Sequence, residues 1–494
     1  MTTDAKIIDI DVRDLRFPRR KVKRNEKSSV NPNYICIYVT LITDNVKYKG
    51  YALTCELGEG VELVTATCKL LFNLVKDRNV AEIYSDFASF WKMLTTDKEL
   101  NSIGPECDVR HIATAVIVNA LWDLWARIEG KPVWKLLTDM TPEQLVSTID
   151  FTHISRTVTK EEAIDMLRKR EARKKKLEEE IQKTGYPAYV ADGWTDYQYS
   201  QVYNFCKRYV KSGFNVFKVD IDNDEERLPA VNMQSCILTR KVIGWKNRKL
   251  IAHINETLPN RAMAFTIVKT ISSRIYTQRN QNGILRPFCI ENAISSDDVL
   301  ECFYLKSQIK HCISLCVGEM CSNCVVAMQL LRLMIPDFWH MNVTRMAGVN
   351  EALAVYFLAE KTKTPVWGYG NGAGLGEMIQ HLQTWDYICL SQTTDQQLIQ
   401  FVDQLHGYFE RPVFVQNGKY MPSKFPGYST KLKDKCISRW SYPNGTRWKY
   451  LLRTGNLRSS TKSVPQRDFP TFVKENILFV GQNIPSSSHS TTDL

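Results

Sequence analysis

Residues 214–221 read FNVFKVDI, and the pattern they set recurs down the chain. KLIAHI follows at 249–254, PFCIE at 287–291, ISLCVG at 313–318, DFWHM at 337–341 and PVW at 365–367. Each is a short apolar run of strand length, rich in β-branched and aromatic residues. Amphipathic stretches of helical length lie between them, such as SSDDVLECFYLKSQI at 295–309 and NCVVAMQLLRLMI at 323–335. This alternation predicts βα units around a parallel sheet. No glycine-rich phosphate fingerprint follows the early strands, which favours a closed (β/α) barrel over a doubly wound sheet. The period alone does not decide between them.

On the amino-terminal side, IIDIDVRDLR (7–16) and YICIYVTLIT (34–43) read as strands, and ITDNVKYKG supplies a hairpin turn. Residues 108–137 form a long helical stretch so apolar that it must be buried on more than one side, with Gly130 and Pro132 ending its first part. Residues 1–150 are therefore expected to be an α+β unit. Residues 157–181 combine an acidic start with a basic middle and read as a solvated helix with i,i+4 ion pairs. The barrel is expected within 151–390. VFVQNGKYM (413–421) reads as a hairpin through Asn417-Gly418. Residues 445–494 are rich in Ser, Thr, Arg and Asn and read as a disordered tail. The Asn-Gly-Thr sequon at 444–446 is expected to be idle.

The 494 residues are 44% hydrophobic and 24% charged, an ordinary globular composition that excludes fibrous and wholly disordered proteins. Lys and Arg number 65 against 53 Asp and Glu, a net +12 that is modest for this length. Basic residues cluster at Arg16, Arg19, Arg20, Lys21, Lys23, Arg24 and Lys27, but without interleaved aromatics or a binding module, so nucleic acid is not expected as a partner. No apolar run is long enough to span a bilayer, and no membrane partner is expected. The start, MTTDAKIIDIDVRDL, is too acidic and strand-like for a transit peptide, so a cytoplasmic location is expected. The fourteen cysteines then read as buried free thiols. Of Cys312, Cys316, Cys321 and Cys324, only the last two have zinc-site spacing, and a matching second pair is missing.

Side chains at the carboxyl ends of barrel strands converge on one face. The polar residues there are Lys218, Asp220, His253, Asn255, Glu291, Asn292, Glu319, Asn342 and Tyr369. Lys218 and Asp220 are two apart on one strand and face the same way. His253, Glu291 and Glu319 come from successive strands, and one imidazole with two carboxylates is a plausible metal-ligand set. The alternative is a buried His–Glu ion pair, with the second glutamate satisfied by Lys218.

Longer stretches carry a family resemblance: DVRDLRFP at 11–18, the block 103–151, GYPAYVADGW at 185–194, RMAGVNEALAV at 345–355 and GAGLGEMIQHL at 372–382. The chain resembles the enolase superfamily, in its mandelate racemase/muconate lactonizing branch, and within it the L-fuconate dehydratases and their mitochondrial-enolase-like relatives. The similarity covers about residues 7–445. It implies an α/β fold, a modified (β/α)7β TIM-type barrel with an α+β capping domain, to which residues 391–444 return. It also implies Mg2+ held by three carboxylates, an acid-sugar substrate, a homo-oligomer, and a mitochondrial location as an alternative. Family members remove the proton α to a carboxylate, and the dehydratases then expel a β hydroxyl as water.

Several of the family's residues are changed here. Lys218 keeps the first position of the Lys-x-Lys strand, but the second lysine, a base, is Asp220. The first metal carboxylate is His253, with Asn255 retained, while Glu291 and Glu319 are kept. The dyad aspartate is Asn342 and its histidine is Tyr369. Glu377 stands where the family has a glutamate near substrate, and Trp194 and Tyr197 match a loop shaping the mouth. A tyrosine hydroxyl, with an ordinary pKa of about 10, is a poor base at neutral pH. Asp220 would repel an anionic substrate. His253 shifts metal preference from Mg2+ towards Mn2+ or Zn2+, or towards no metal. The expectation is lost or strongly impaired dehydratase activity. The alternative is an active metal-dependent hydro-lyase with a rearranged site, using Asp220 or Tyr369.

Overall fold

The computed structural model describes residues 5–18, 33–55, 60–96, 108–191, 199–221, 234–244, 247–254, 262, 264–269 and 288–454. Asn255, Trp194, Tyr197, the basic residues 19–27 and the tail from 455 lie outside the described residues.

β1 (Ile7–Pro18), β2 (Asn33–Thr43) and β3 (Lys49–Cys55) form an antiparallel meander. The helix Asp108–Ile128 packs on it, and every residue from His111 to Leu124 is buried. That burial on all sides is what its near-continuous apolar sequence requires. The chain breaks at Gly130 and Pro132 and restarts as the helix Val133–Asp139. Within the long helix, Asp123 is fully buried yet satisfied. It accepts from the Tyr51 N–H at 3.0 Å, the Tyr428 N–H at 2.6 Å and Arg127 Nε at 2.6 Å.

The stretch expected as one solvated helix is two, Lys160–Arg168 and Lys174–Thr184, joined by a 3-10 turn. Its apolar residues Ala163, Leu167, Leu177 and Ile181 are buried, so an apolar stripe sits behind the charged face.

Eight parallel strands close into a barrel. They are β4 (Tyr186–Ala191), β5 (Val216–Asp220), β6 (Lys249–His253), β7 (Cys289–Glu291), β8 (Ser314–Val317), β9 (Phe338–Met341), β10 (Val366–Gly368) and β11 (Ile399–Phe401). The ring is completed by β11 against β4, with Ile399 opposite Ala188 and Phe401 opposite Val190. A helix follows each strand from β4 to β10, and only a 3-10 turn, His406–Tyr408, follows β11 before the next strand, which makes a (β/α)7β barrel among the described residues. The two closing strands, β4 and β11, are absent from the strand pattern read in the sequence, and β11 lies beyond residue 390. β12 (Phe414–Gln416) and β13 (Lys419–Met421) form the expected hairpin, with positive φ at Asn417 and Gly418. β13 pairs with the start of β4.

The last described segment lies on β1. Ser441 bridges to Leu15, the Tyr442 N–H donates to the Asp14 carbonyl at 2.9 Å, and Trp448 Nε1 donates to the Arg16 carbonyl at 3.1 Å. Among the described residues twelve cysteines are free, and all but Cys312 are buried. Among the described residues no helix is long and apolar enough to cross a membrane.

Candidate active site

Alternation along each strand turns every second side chain into the barrel. Tyr189, Val216, Ile251, Cys289, Cys316, Phe338 and Trp367 fill an inner apolar layer. The next inward positions towards the carboxyl ends are charged: Lys218 and Asp220 on β5, His253 ending β6, Glu291 ending β7 and His340 on β9. Glu319 follows β8. Lys218, His253, Glu291, Glu319 and His340 are all buried.

The strands bring these groups into one network. Lys218 Nζ lies 2.7 Å from Glu291 Oε1 and 3.6 Å from Glu319 Oε2. His253 places Nδ1 2.9 Å from Asp220 Oδ1 and Nε2 3.3 Å from Glu319 Oε1. His340 places Nδ1 2.8 Å from Glu291 Oε1 and 3.3 Å from Glu319 Oε2, while its Nε2 is 3.1 Å from the Tyr189 hydroxyl. Two buried carboxylates are thus faced by one ammonium and two imidazoles, with Asp220, about one-third exposed, facing His253.

The electrostatics follow from this packing. Burial works against a charged Lys218, but Glu291, Glu319 and Asp220 outweigh it and hold its pKa above the ordinary lysine range. Burial and the Lys218 charge oppose protonation of His253, yet Glu319 and Asp220 raise its pKa to about 10. Burial likewise opposes a charged His340, and Glu291 reverses the balance and pushes its pKa up. Burial would raise Glu319, but Lys218 and His253 hold it well below the usual carboxylate range.

The donor atoms of His253, Glu291 and Glu319 lie within 4.8 Å of one another. Glu291 Oε2 is buried without a hydrogen-bond partner, so it keeps lone pairs for an ion. One nitrogen with two carboxylates fits a divalent transition ion such as Mn2+ or Zn2+ better than Mg2+, which favours oxygen throughout. The cysteines 312, 316, 321 and 324 do not form such a group among the described residues.

Tyr369, just past β10, stands edge-on to His340 with ring centroids 5.1 Å apart, and Lys218 Nζ is 5.9 Å from its ring centre. Asn342 is spent on its own turn. Its Nδ2 donates to the Glu319 carbonyl at 3.1 Å, and its Oδ1 accepts from the Thr344 N–H and hydroxyl. Glu377 is fully buried on the helix Leu375–Cys389, with Oε1 2.7 Å from His406 Nδ1 and Oε2 without a hydrogen-bond partner.

Sequence reasoning passed over His340, Tyr189 and Gln400. His340 had a signal, since strand alternation puts it on the same face as the position of Asn342, two residues on and just past β9. Tyr189 and Gln400 lie on the two strands that went unread, directly opposite each other in register. The Gln400 side chain accepts from the Gly370 N–H at 3.4 Å, beside Tyr369.

Residues 201–436 match the family model described as enolase C-terminal domain-like. The mitochondrial enolase superfamily member 1 of Homo sapiens is 36% identical over 452 residues, covering 91% of this chain and 98% of that protein. The chain belongs to the enolase superfamily, in its mandelate racemase/muconate-lactonizing branch. The crystal structure of that human protein superimposes with a TM-score of 0.84 at 34% identity, covering 92% of this chain and all of that one. The L-galactonate dehydratase of Hypocrea jecorina is 32% identical, over 88% of this chain and 94% of that enzyme. An L-talarate dehydratase from Polaromonas, solved with Mg and L-glucarate, shares the fold at a TM-score of 0.63 with only 14% identity.

Proposed function

We propose that this enolase-superfamily chain is a homologue of acid-sugar dehydratases, L-fuconate-like in type, whose hydro-lyase activity is lost or strongly impaired. One observation carries the reading: each imidazole at the barrel mouth is already turned onto a carboxylate. His253 faces Asp220 and Glu319, and His340 faces Glu291 and Glu319. A general base needs a free lone pair aimed at substrate and a pKa near the working pH. His253, with its pKa raised to about 10, is protonated at neutral pH and has none to offer. Asp220 is engaged by His253, and its negative charge disfavours an anionic substrate. His340 is fully buried and held between Glu291 and the Tyr189 hydroxyl.

The test is a panel of acid sugars in deuterated buffer with Mg2+, Mn2+ or Zn2+, followed by NMR. The expected result is neither α-proton exchange nor dehydration. Exchange that disappears in Lys218→Ala would overturn the proposal.

A second reading, a working metal-dependent hydro-lyase with a rebuilt site, is favoured by the convergence of His253, Glu291 and Glu319. These three residues would hold the ion, which when bound supplies positive charge to stabilise an enediolate. Lys218 would hold the substrate carboxylate, and Asp220 or Tyr369 would accept the α proton before the β hydroxyl departs as water. Asp220 has the exposure this requires, and freeing it means breaking its bond to His253.

A further inference from the structure

Residues 431–454 contain seven lysines and arginines against one aspartate, which gives this short segment half of the chain's net +12. The segment folds as the helices Asp434–Trp440 and Thr446–Arg453. Each buries a tryptophan towards β1: Trp440 lies 6.2 Å from Phe17 between ring centroids, and Trp448 donates to the Arg16 carbonyl. With those sides fixed inward, Lys435, Arg439, Lys449 and Arg453 are exposed.

Several cations elsewhere on this surface have acidic partners, as Lys131 and Lys135 do with Asp139 and Lys361 does with Glu162. Here Lys435, Arg439, Arg447, Lys449 and Arg453 have none among the described residues. Arg439 and Arg447 instead lie over the rings of Trp440 and Tyr450, at 5.3 and 5.1 Å. Tyr450 and Leu452 stand among these cations 52% and 51% exposed. Unopposed like charges gathered on one face repel each other unless an outside anion answers them.

We propose that the outer face of these two helices is a peripheral docking site for an anionic lipid surface. The cations match the charge of acidic headgroups. The exposed leucine and tyrosine select a bilayer over a nucleic acid. Leu452 gains from the acyl boundary and Tyr450 from the headgroup level, whereas a phosphodiester backbone leaves a lone leucine in water. The absence of a spanning helix among the described residues makes such contact reversible and superficial.

The test is sedimentation of the full chain with phosphatidylcholine vesicles with and without 30% phosphatidylserine (~30%, enough for a negative surface potential). The expected result is binding only to the anionic vesicles, lost at high salt. The double variant Lys449→Gln/Arg453→Gln should bind at least about tenfold more weakly, and Leu452→Ser should weaken binding without changing its salt dependence. Both alter exposed side chains, and unchanged thermal unfolding confirms that each variant is folded. No binding to anionic vesicles, equal binding to neutral ones, or full binding by the folded double variant would overturn the proposal. So would tight binding of a single-stranded oligonucleotide by a chain that ignores the vesicles.

Discussion

The Lys218 ammonium reaches across β6 to the Glu291 carboxylate, Nζ 2.7 Å from Oε1, with both side chains buried. Buried charges persist only when opposed and hydrogen-bonded. Removing one partner should therefore cost more than the pair itself contributes. Lys218→Met is expected to lower unfolding free energy by about 3–5 kcal/mol. Urea denaturation will measure it, and adding Glu291→Gln to the same chain should recover part of the loss.

Stability should depend on pH through the same network. His253 is raised from its ordinary 6.5 to about 10 in the fold, so the folded chain binds the extra proton more tightly than the unfolded one. Its contribution is complete below about pH 6.5 and is lost as pH rises through about 10. His340, also raised, acts in the same direction. Glu319 is depressed, so its share is complete above its ordinary value and is lost in acid. Urea midpoints should fall between pH 7 and 10, and His253→Asn should flatten much of that slope.

Metal preference should follow the donor set. Mn2+ or Zn2+ is expected to raise the melting temperature of chelator-treated protein, while the same concentration of Mg2+ leaves it nearly unchanged. Glu319→Gln should abolish the effect. His253→Asp, which restores three carboxylates, should shift the preference towards Mg2+. Calorimetric melts with each ion give the comparison.

A fourth expectation concerns Asp123, far from the mouth. Three donors converge on it from β3, its own helix and the Tyr428 segment. Asp123→Ala should leave two buried backbone N–H groups unsatisfied and cost about 2–6 kcal/mol. Loss of protection at the Tyr51 and Tyr428 amides in hydrogen exchange would locate the damage.

The barrel was legible where strands carry dense β-branched and aromatic runs, as in FNVFKVDI and ISLCVG. It was not legible at β4, whose YPAYVA carries a proline in second place shortly after Gly185, nor at β11, three residues within polar DQQLIQFVDQ. Their strand state is imposed by the ring they complete, which no local pattern encodes. The charged cluster was legible because strand ends in a barrel must converge. His340 escaped because an imidazole inside an apolar strand reads as core, and only its register with Asn342 gives it away. The pairing of Glu377 with His406 was not legible, because helix position does not reveal which way a buried carboxylate turns.

The pairing of β11 with β4 also constrains how the chain can be made. A ribosome delivers β4 long before residues 399–401, and until these emerge both β4 and β10 carry an unpaired edge. The ring cannot close cotranslationally in sequence order. A nascent chain stalled before residue 399 should be a chaperone client, and one released just beyond the β12–β13 hairpin should not.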